Sequence, residues 1–132
     1  MEASNIYQPS EVELEILQIL WVHQPATVRF VYEQMQAGRE KPLSYTTILT
    51  YLQRMTKKEM VIREVEGKTH FYRAVPQETE VQKTLSQRLL DRVFKGSAKK
   101  LIMQALGQKK VSKEELDEIQ KWLDSQKKQS DD

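Results

Sequence analysis

The 132-residue sequence contains no cysteine, which excludes disulfide bonds, thiolate metal sites and cysteine nucleophiles together. It has no run of about 18 apolar residues, so we expect no membrane insertion. Its N-terminus lacks the basic and apolar regions of a secretory signal, and we expect a cytoplasmic protein. The length fits one or two small domains.

Signatures of catalysis and of metal binding are also missing. The two histidines, His23 and His70, lack the spacing of metal ligands. The sequence has no G-x-S-x-G nucleophile motif and no glycine-rich phosphate loop. We therefore expect no enzymatic activity, no metal site and no cofactor.

The charge that is present is unevenly distributed. The whole chain has a net charge of only +2, but residues 39–73 carry eight basic and four acidic side chains, a net +4. Residues 1–38 carry one basic and five acidic side chains, a net −4. A positive segment in a near-neutral chain is typical of a surface that binds a polyanion, although a solvated mixed surface would also produce it.

Capping residues and apolar spacing predict three helices in the first half of the chain, over residues 10–24, 27–38 and 44–58. The first begins with Ser10-x-x-Glu13, a capping box in which each side chain satisfies a free backbone N–H. Apolar residues then recur at helical spacing in all three segments.

A hairpin signature follows the third helix. Residues 61–65 and 70–75 are rich in β-branched and aromatic side chains and flank a turn that contains Gly67. Amphipathic patterns then predict three more helices, over residues 77–95, 97–107 and 112–125.

The predicted fold class is α+β and mostly helical. We expect a winged helix-turn-helix domain over 1–75, a three-helix dimerisation domain over 76–126 and a polar, disordered tail over 127–132. A core of about 50 residues would be marginal alone, so the second domain is expected to use a partner's surface. Its candidate dimerisation residues are Leu85, Leu89, Val93, Leu101, Ile102, Leu116, Ile119, Trp122 and Leu123.

The predicted third helix has the composition of a helix that reads DNA. In a helix-turn-helix, the second helix enters the major groove, where hydroxyl groups can contact bases and phosphates. Cations at the end of this helix and on the hairpin would neutralise phosphates. The candidate DNA contacts are Ser44, Tyr45, Thr46, Thr47, Thr50, Arg54, Lys57, Lys58, Arg63, Lys68 and Thr69.

Structural roles are alternatives for several of these residues. Ser44 also fits a helix cap, and Tyr45 fits packing on the domain surface. Lys57 and Lys58 fit compensation of the helix dipole. Tyr72 fits the core better than a contact.

Two other functional classes are open at this point. A winged helix can be a protein-interaction module, but a docking helix would expose large apolar residues where this sequence has hydroxyl groups. A ligand-sensing repressor, which would need a pocket between the domains, is the second alternative.

The sequence resembles the penicillinase-repressor family of bacterial transcription factors, which includes β-lactam-resistance and copper-transport repressors. The resemblance implies a repressor that binds a palindromic operator on double-stranded DNA as a homodimer and is released when dimerisation is lost. Helix 44–58 would supply the groove contacts and hairpin 61–75 the wing. The matching segments are E-x-E-I-L-x-I-L-W (13–21), A-T-V-R-x-V-Y-E (26–33), L-S-Y-T-T-I-L-T-Y-L-Q-R-M-T-K-K (43–58), R-E-V-E-G-K-T-H-F-Y (63–72), L-L-D-R-V-F-x-G-S (89–97) and E-E-L-D-E-I (114–119).

The sequence departs from the family pattern at three points. Glu59 replaces the glycine that usually follows the Lys-Lys pair in a left-handed cap, so the cap should differ or be strained. Copper-sensing members bind metal through paired cysteine motifs, which a cysteine-free chain cannot form. In the β-lactam branch a membrane sensor protease is implied as a partner that cleaves an Asn-Phe bond. Here Gln104 and Ala105 occupy that position, so the inducing signal is open.

Overall fold

A computed structural model describes residues 7–108 and 110–130 of the chain. The chain divides into two compact units, Met1–Gln87 and Arg88–Asp132. The described residues form six helices and one hairpin, and the order and type of these elements agree with the prediction. The elements are α1 (Glu11–His23), α2 (Val28–Met35), α3 (Tyr45–Lys57), β1 (Val61–Glu66), β2 (Thr69–Ala74), α4 (Glu78–Arg92), α5 (Ala98–Gln108) and α6 (Lys113–Ser130).

The first three helices begin at the capping residues that the sequence predicts. Ser10 Oγ accepts a hydrogen bond from the Glu13 N–H at 3.3 Å, and Glu13 Oε1 accepts one from the Ser10 N–H at 2.9 Å. Thr27 and Ser44 cap α2 and α3 in the same way, through their hydroxyl oxygens. Each such cap stabilises its helix by about 1 kcal/mol.

The core of the first unit joins α1, α2, α3 and the hairpin. The helices contribute apolar side chains at a spacing of three or four residues, and each strand contributes one buried residue, Val61 or Tyr72. Burying each of the larger ones stabilises the fold by about 1.5–3 kcal/mol. The core members with almost no exposed surface are Ile16, Leu17, Leu20, Val31, Ile48, Leu52, Met55, Val61 and Tyr72.

The hairpin projects from this core. β1 and β2 are antiparallel, with Val61 opposite Ala74 and Glu66 opposite Thr69. Gly67 lies in the turn with φ of 62°, a conformation that favours glycine. Val61 is buried at the base, whereas the rest of β1 is exposed, so the hairpin tip is free to reach another molecule.

The link between α3 and β1 is a Schellman cap with an unusual residue at its centre. The Met60 N–H donates to the Met55 carbonyl at 2.8 Å, and the Glu59 N–H donates to the Thr56 carbonyl at 3.1 Å. Glu59 has φ of 63°, in the left-handed region. The family's usual glycine geometry is therefore kept with a glutamate, and the expected strain is present.

The second unit has little interior. None of its described residues is buried, and α5 and α6 have no buried residue. The expected disordered tail over 127–132 is instead helical as far as Ser130, where Lys127 and Lys128 favour the carboxyl end of α6. Residues 131 and 132 lie outside the described residues. Across the described ranges, no helix is long and apolar enough to cross a membrane.

Candidate nucleic-acid interface

α3 buries one face and exposes the other. Ile48, Leu52 and Met55 have no exposed surface and hold the helix against the core. Their spacing leaves the predicted DNA contacts of α3 on the remaining faces, where Ser44, Tyr45, Thr46, Arg54 and Lys57 are exposed. The packing that holds this helix therefore also selects the face that it presents.

The four serine and threonine hydroxyl groups predicted to contact DNA from the α3 region differ in whether they already have a hydrogen-bond partner. Ser44 Oγ caps α3 and lies 2.8 Å from Thr47 Oγ1, so these two oxygens are hydrogen-bonded to each other. Thr50 Oγ1 donates to the Thr46 carbonyl at 2.9 Å. Thr46 is exposed, and its hydroxyl has no partner among the described residues. Thr46 is thus the hydroxyl most available to an incoming ligand.

An aromatic and cationic cluster at the start of α3 was not predicted from the sequence. The Tyr32 and Tyr45 rings meet edge to face with centroids 5.7 Å apart, and the Arg29 guanidinium lies 5.5 Å from the Tyr45 centroid. Tyr45 therefore packs on its neighbours while remaining partly exposed. Arg29 and Tyr32 are three residues apart in α2, a spacing that could have indicated a shared face.

Lys58 differs from the other cations of α3. Its Nζ lies 2.8 Å from Glu13 Oε2, and the Glu13 side chain is only 5% exposed. Burial opposes ionisation of Glu13, but the Lys58 hydrogen bond and charge and the Ser10 backbone hydrogen bond outweigh it and lower the Glu13 pKa. Arg54 and Lys57 have no ion pair within the described ranges, so their charges are available to a phosphate.

The predicted contacts of the hairpin are all exposed. Lys68 and Thr69 lie at its tip, and Arg63 lies nearer the base, directly opposite Tyr72. On the other hairpin face, Arg73 Nε is 3.0 Å from Glu64 Oε1. Arg73 is therefore paired with an acid, whereas Arg63 has no acidic partner among the described residues.

The predicted dimerisation residues lie on α4, α5, α6 and the turn after α4, and remain partly or largely exposed in one protomer. Val93 is 63% and Trp122 60% exposed, large values for apolar side chains. Leu85, Leu101, Ile119 and Leu123 are half-buried. The remaining ones, all more exposed, are Leu89, Ile102 and Leu116.

The predicted cleavage position lies in the middle of α5. Gln104 and Ala105 are both exposed and both helical. No predicted DNA contact lies in this unit.

The known proteins that this chain resembles in sequence are regulators of penicillin and methicillin resistance. A sequence profile described as penicillinase repressor matches residues 9–125. The methicillin resistance regulatory protein MecI of Staphylococcus aureus is 25% identical over 120 residues, which cover 91% of this chain and 96% of that protein. The penicillinase repressor of Bacillus licheniformis is 26% identical over 123 residues, which cover 93% and 94%.

A solved structure is also similar. A MarR family protein from Bacillus stearothermophilus matches with a TM-score of 0.54 at 17% identity, over 96% of this chain and 78% of that chain. This likeness concerns the fold, and it confirms the predicted winged-helix class.

Proposed function

The chain belongs to the penicillinase repressor family and is a transcriptional repressor, and from this premise we propose that it binds a palindromic operator as a homodimer. The proposal includes release of the operator when the dimer is lost. Its proposed DNA-binding part is residues 1–75, which lie within the first unit, and its proposed dimerising part is the helical region over 76–126.

The exposed face of α3 supports the DNA-binding part. It combines hydroxyl groups at its start with the cations Arg54 and Lys57 further along, and both suit a nucleic acid. Lys68 and Thr69 at the hairpin tip would contact the backbone beside the groove. We assign Lys58 mainly to holding α3 against α1, because its charge is already paired with Glu13.

The main support for the proposed dimer is that the described part of the second unit has no buried residue. Isolated helices of this length are marginal in water unless an apolar face is covered. Val93, Ile102 and Trp122 are too exposed for a stable unit of this size. A second copy would cover the same residues on both protomers through a two-fold axis, which matches the symmetry of a palindromic operator.

Dimerisation would also explain release. Each protomer offers few contacts to its half-site, and the second binding event becomes intramolecular when the two protomers are joined. Separation of the protomers therefore lowers affinity for the full operator. The proposal does not include a membrane sensor protease, since Gln104 and Ala105 lie inside α5 and replace the implied Asn-Phe pair.

The test combines sedimentation with DNA titration, using duplexes from upstream of the protein's own gene and from unrelated sequence. We expect a dimer in free solution and two protomers on each specific duplex. The logarithm of affinity should fall linearly with the logarithm of salt concentration, by about 0.9 for each phosphate neutralised. A monomeric protein would refute the dimer, and a salt slope of zero would refute DNA as the partner.

A further inference from the structure

A cleft of about 420 Å³ opens between the end of α3 and the base of the hairpin. Its volume is within the range of ligand sites, about 300–1,000 Å³. It lies wholly within the first unit. Its lining residues are Gln53, Thr56, Lys57, Arg63 and Tyr72.

The local geometry explains why these residues meet. Gln53, Thr56 and Lys57 occupy positions i, i+3 and i+4 of α3 and therefore share one face. Arg63 and Tyr72 are directly opposite each other in the β1–β2 register and therefore share one hairpin face. The cleft is the space between these two faces.

The charges that line the cleft are all of one sign. Lys57 and Arg63 are exposed, and neither has an ion pair within the part of the chain that is described. No described residue that lines the cleft is acidic. Two uncompensated cations beside a concave surface favour an anion there.

Tyr72 adds an uncharged donor to this cleft. The residue is only 1% exposed, and its hydroxyl has no hydrogen-bond partner among the described residues. Its proton is therefore available to an acceptor that occupies the cleft. Thr56 is less available as a donor, because its Oγ1 donates to the Leu52 carbonyl at 2.7 Å.

We infer that this cleft is a binding site for a phosphate group, held by Lys57, Arg63 and the Tyr72 hydroxyl. The phosphate can belong to the DNA backbone, in which case the inference rests on the proposed function. It can also be a free phosphate, in which case the site is independent of DNA. The recognition chemistry is the same in both cases, namely two cations and one O–H donor around a tetrahedral oxyanion.

The test is a titration of the full chain with inorganic phosphate at constant ionic strength, followed by amide chemical shifts. We expect saturable shifts at the lining residues. Arg63→Gln should weaken phosphate binding about tenfold and Tyr72→Phe about fivefold, as expected for one charged and one neutral hydrogen bond. Arg73→Gln is the matched control, because Arg73 lies on the opposite hairpin face and is paired with Glu64. It should bind phosphate as the unaltered protein does.

A second titration, on the protein bound to its DNA, identifies the source of the phosphate. Loss of inorganic phosphate binding in the complex assigns the cleft to the DNA backbone, and unchanged binding assigns it to a free phosphate. Absence of saturable shifts at the cleft, or equal binding by Arg63→Gln, Tyr72→Phe and Arg73→Gln, would overturn the inference. If the protein binds no DNA at all, the proposed function fails while the first titration still decides the cleft.

Discussion

Lys58 Nζ, at the end of α3, lies 2.8 Å from the carboxylate of Glu13 in the first turn of α1. The same carboxylate also accepts the Ser10 N–H that begins α1. One buried acid therefore joins the start of the first helix to the end of the helix proposed to read DNA. Lys58 is held in this pair, whereas the adjacent Lys57 has no ion pair among the described residues, and the two lysines can therefore have different roles.

Glu13→Gln should remove the charge pair while keeping the capping box, which glutamine can also form. At neutral pH we expect the free energy of unfolding to fall by about 1–2 kcal/mol, because Lys58 loses a charged partner. The pKa of Glu13 in the folded state lies below 4.5, the ordinary value for a glutamate. The stabilisation by the Glu13–Lys58 pair is therefore complete above pH 4.5 and is lost as the pH falls through the lowered pKa. The difference between the two proteins in urea unfolding should therefore shrink in acid.

Glu11→Gln is the matched control, because Glu11 is an exposed acid in the same turn. At neutral pH it should change the free energy of unfolding by much less than Glu13→Gln does. A difference between Glu13→Gln and the unaltered protein that stays constant into acid would contradict the assigned pKa direction.

Glu59→Gly should stabilise the protein. A left-handed conformation costs an L-residue about 1–2 kcal/mol, and the greater freedom of glycine in the unfolded chain offsets part of that gain. We expect a net increase of about 0.5–1 kcal/mol in the free energy of unfolding, measured by denaturant titration. Glu59→Ala keeps the strain and removes the carboxylate, so an equal gain in that variant would show that charge, not backbone conformation, is responsible.

Much of the first unit could be predicted because its signals are local. Ser10, Thr27 and Ser44 mark helix starts through hydrogen bonds three residues away, and Gly67 marks a turn. The left-handed conformation of Glu59 was indicated differently, by the glycine that the family usually has at this position.

The remaining features could not be predicted from the sequence, because they depend on non-local packing or lack an apolar period. Glu13 and Lys58 are 45 residues apart, and no local pattern indicates that they meet. The contact of Arg29 with Tyr45 depends on how α2 crosses α3, which apolar spacing does not specify. The last turn of α6 has no apolar stripe, so its helix signal is the good helix propensity of glutamine and lysine alone.

Lys57→Ala and Lys58→Ala should separate DNA binding from stability. Lys57→Ala should reduce the salt slope of DNA binding by about 0.9, because one phosphate contact is lost. Lys58→Ala should leave the slope nearly unchanged and lower the free energy of unfolding by about 1–3 kcal/mol, since a buried carboxylate loses its partner. Equal slopes and equal stabilities for the two variants would show that the assignment of these lysines is wrong.

Trp122→Asp should disrupt the proposed dimer without unfolding the first unit. Trp122 is 60% exposed in one protomer, so a charge there is tolerated in a monomer and is unfavourable only when a partner covers it. We expect a monomer in sedimentation and weaker binding to the full operator. Gln120→Lys, which introduces a charge two residues away on another side of α6 and can still pair with Asp124, should remain dimeric. If Trp122→Asp also remains dimeric, the proposed interface is misplaced.

The hydrogen bond from Thr50 Oγ1 to the Thr46 carbonyl restricts which bases this threonine can recognise. A hydroxyl group has one proton, and here the backbone holds it, so Thr50 can offer a groove only acceptor lone pairs. In the major groove the matching donors are the amino groups of adenine and cytosine, whereas guanine O6 and thymine O4 are acceptors. Thr46 keeps its proton and can pair with either kind of base edge. Two threonines one helical turn apart thus differ in the base edges with which each can form a hydrogen bond.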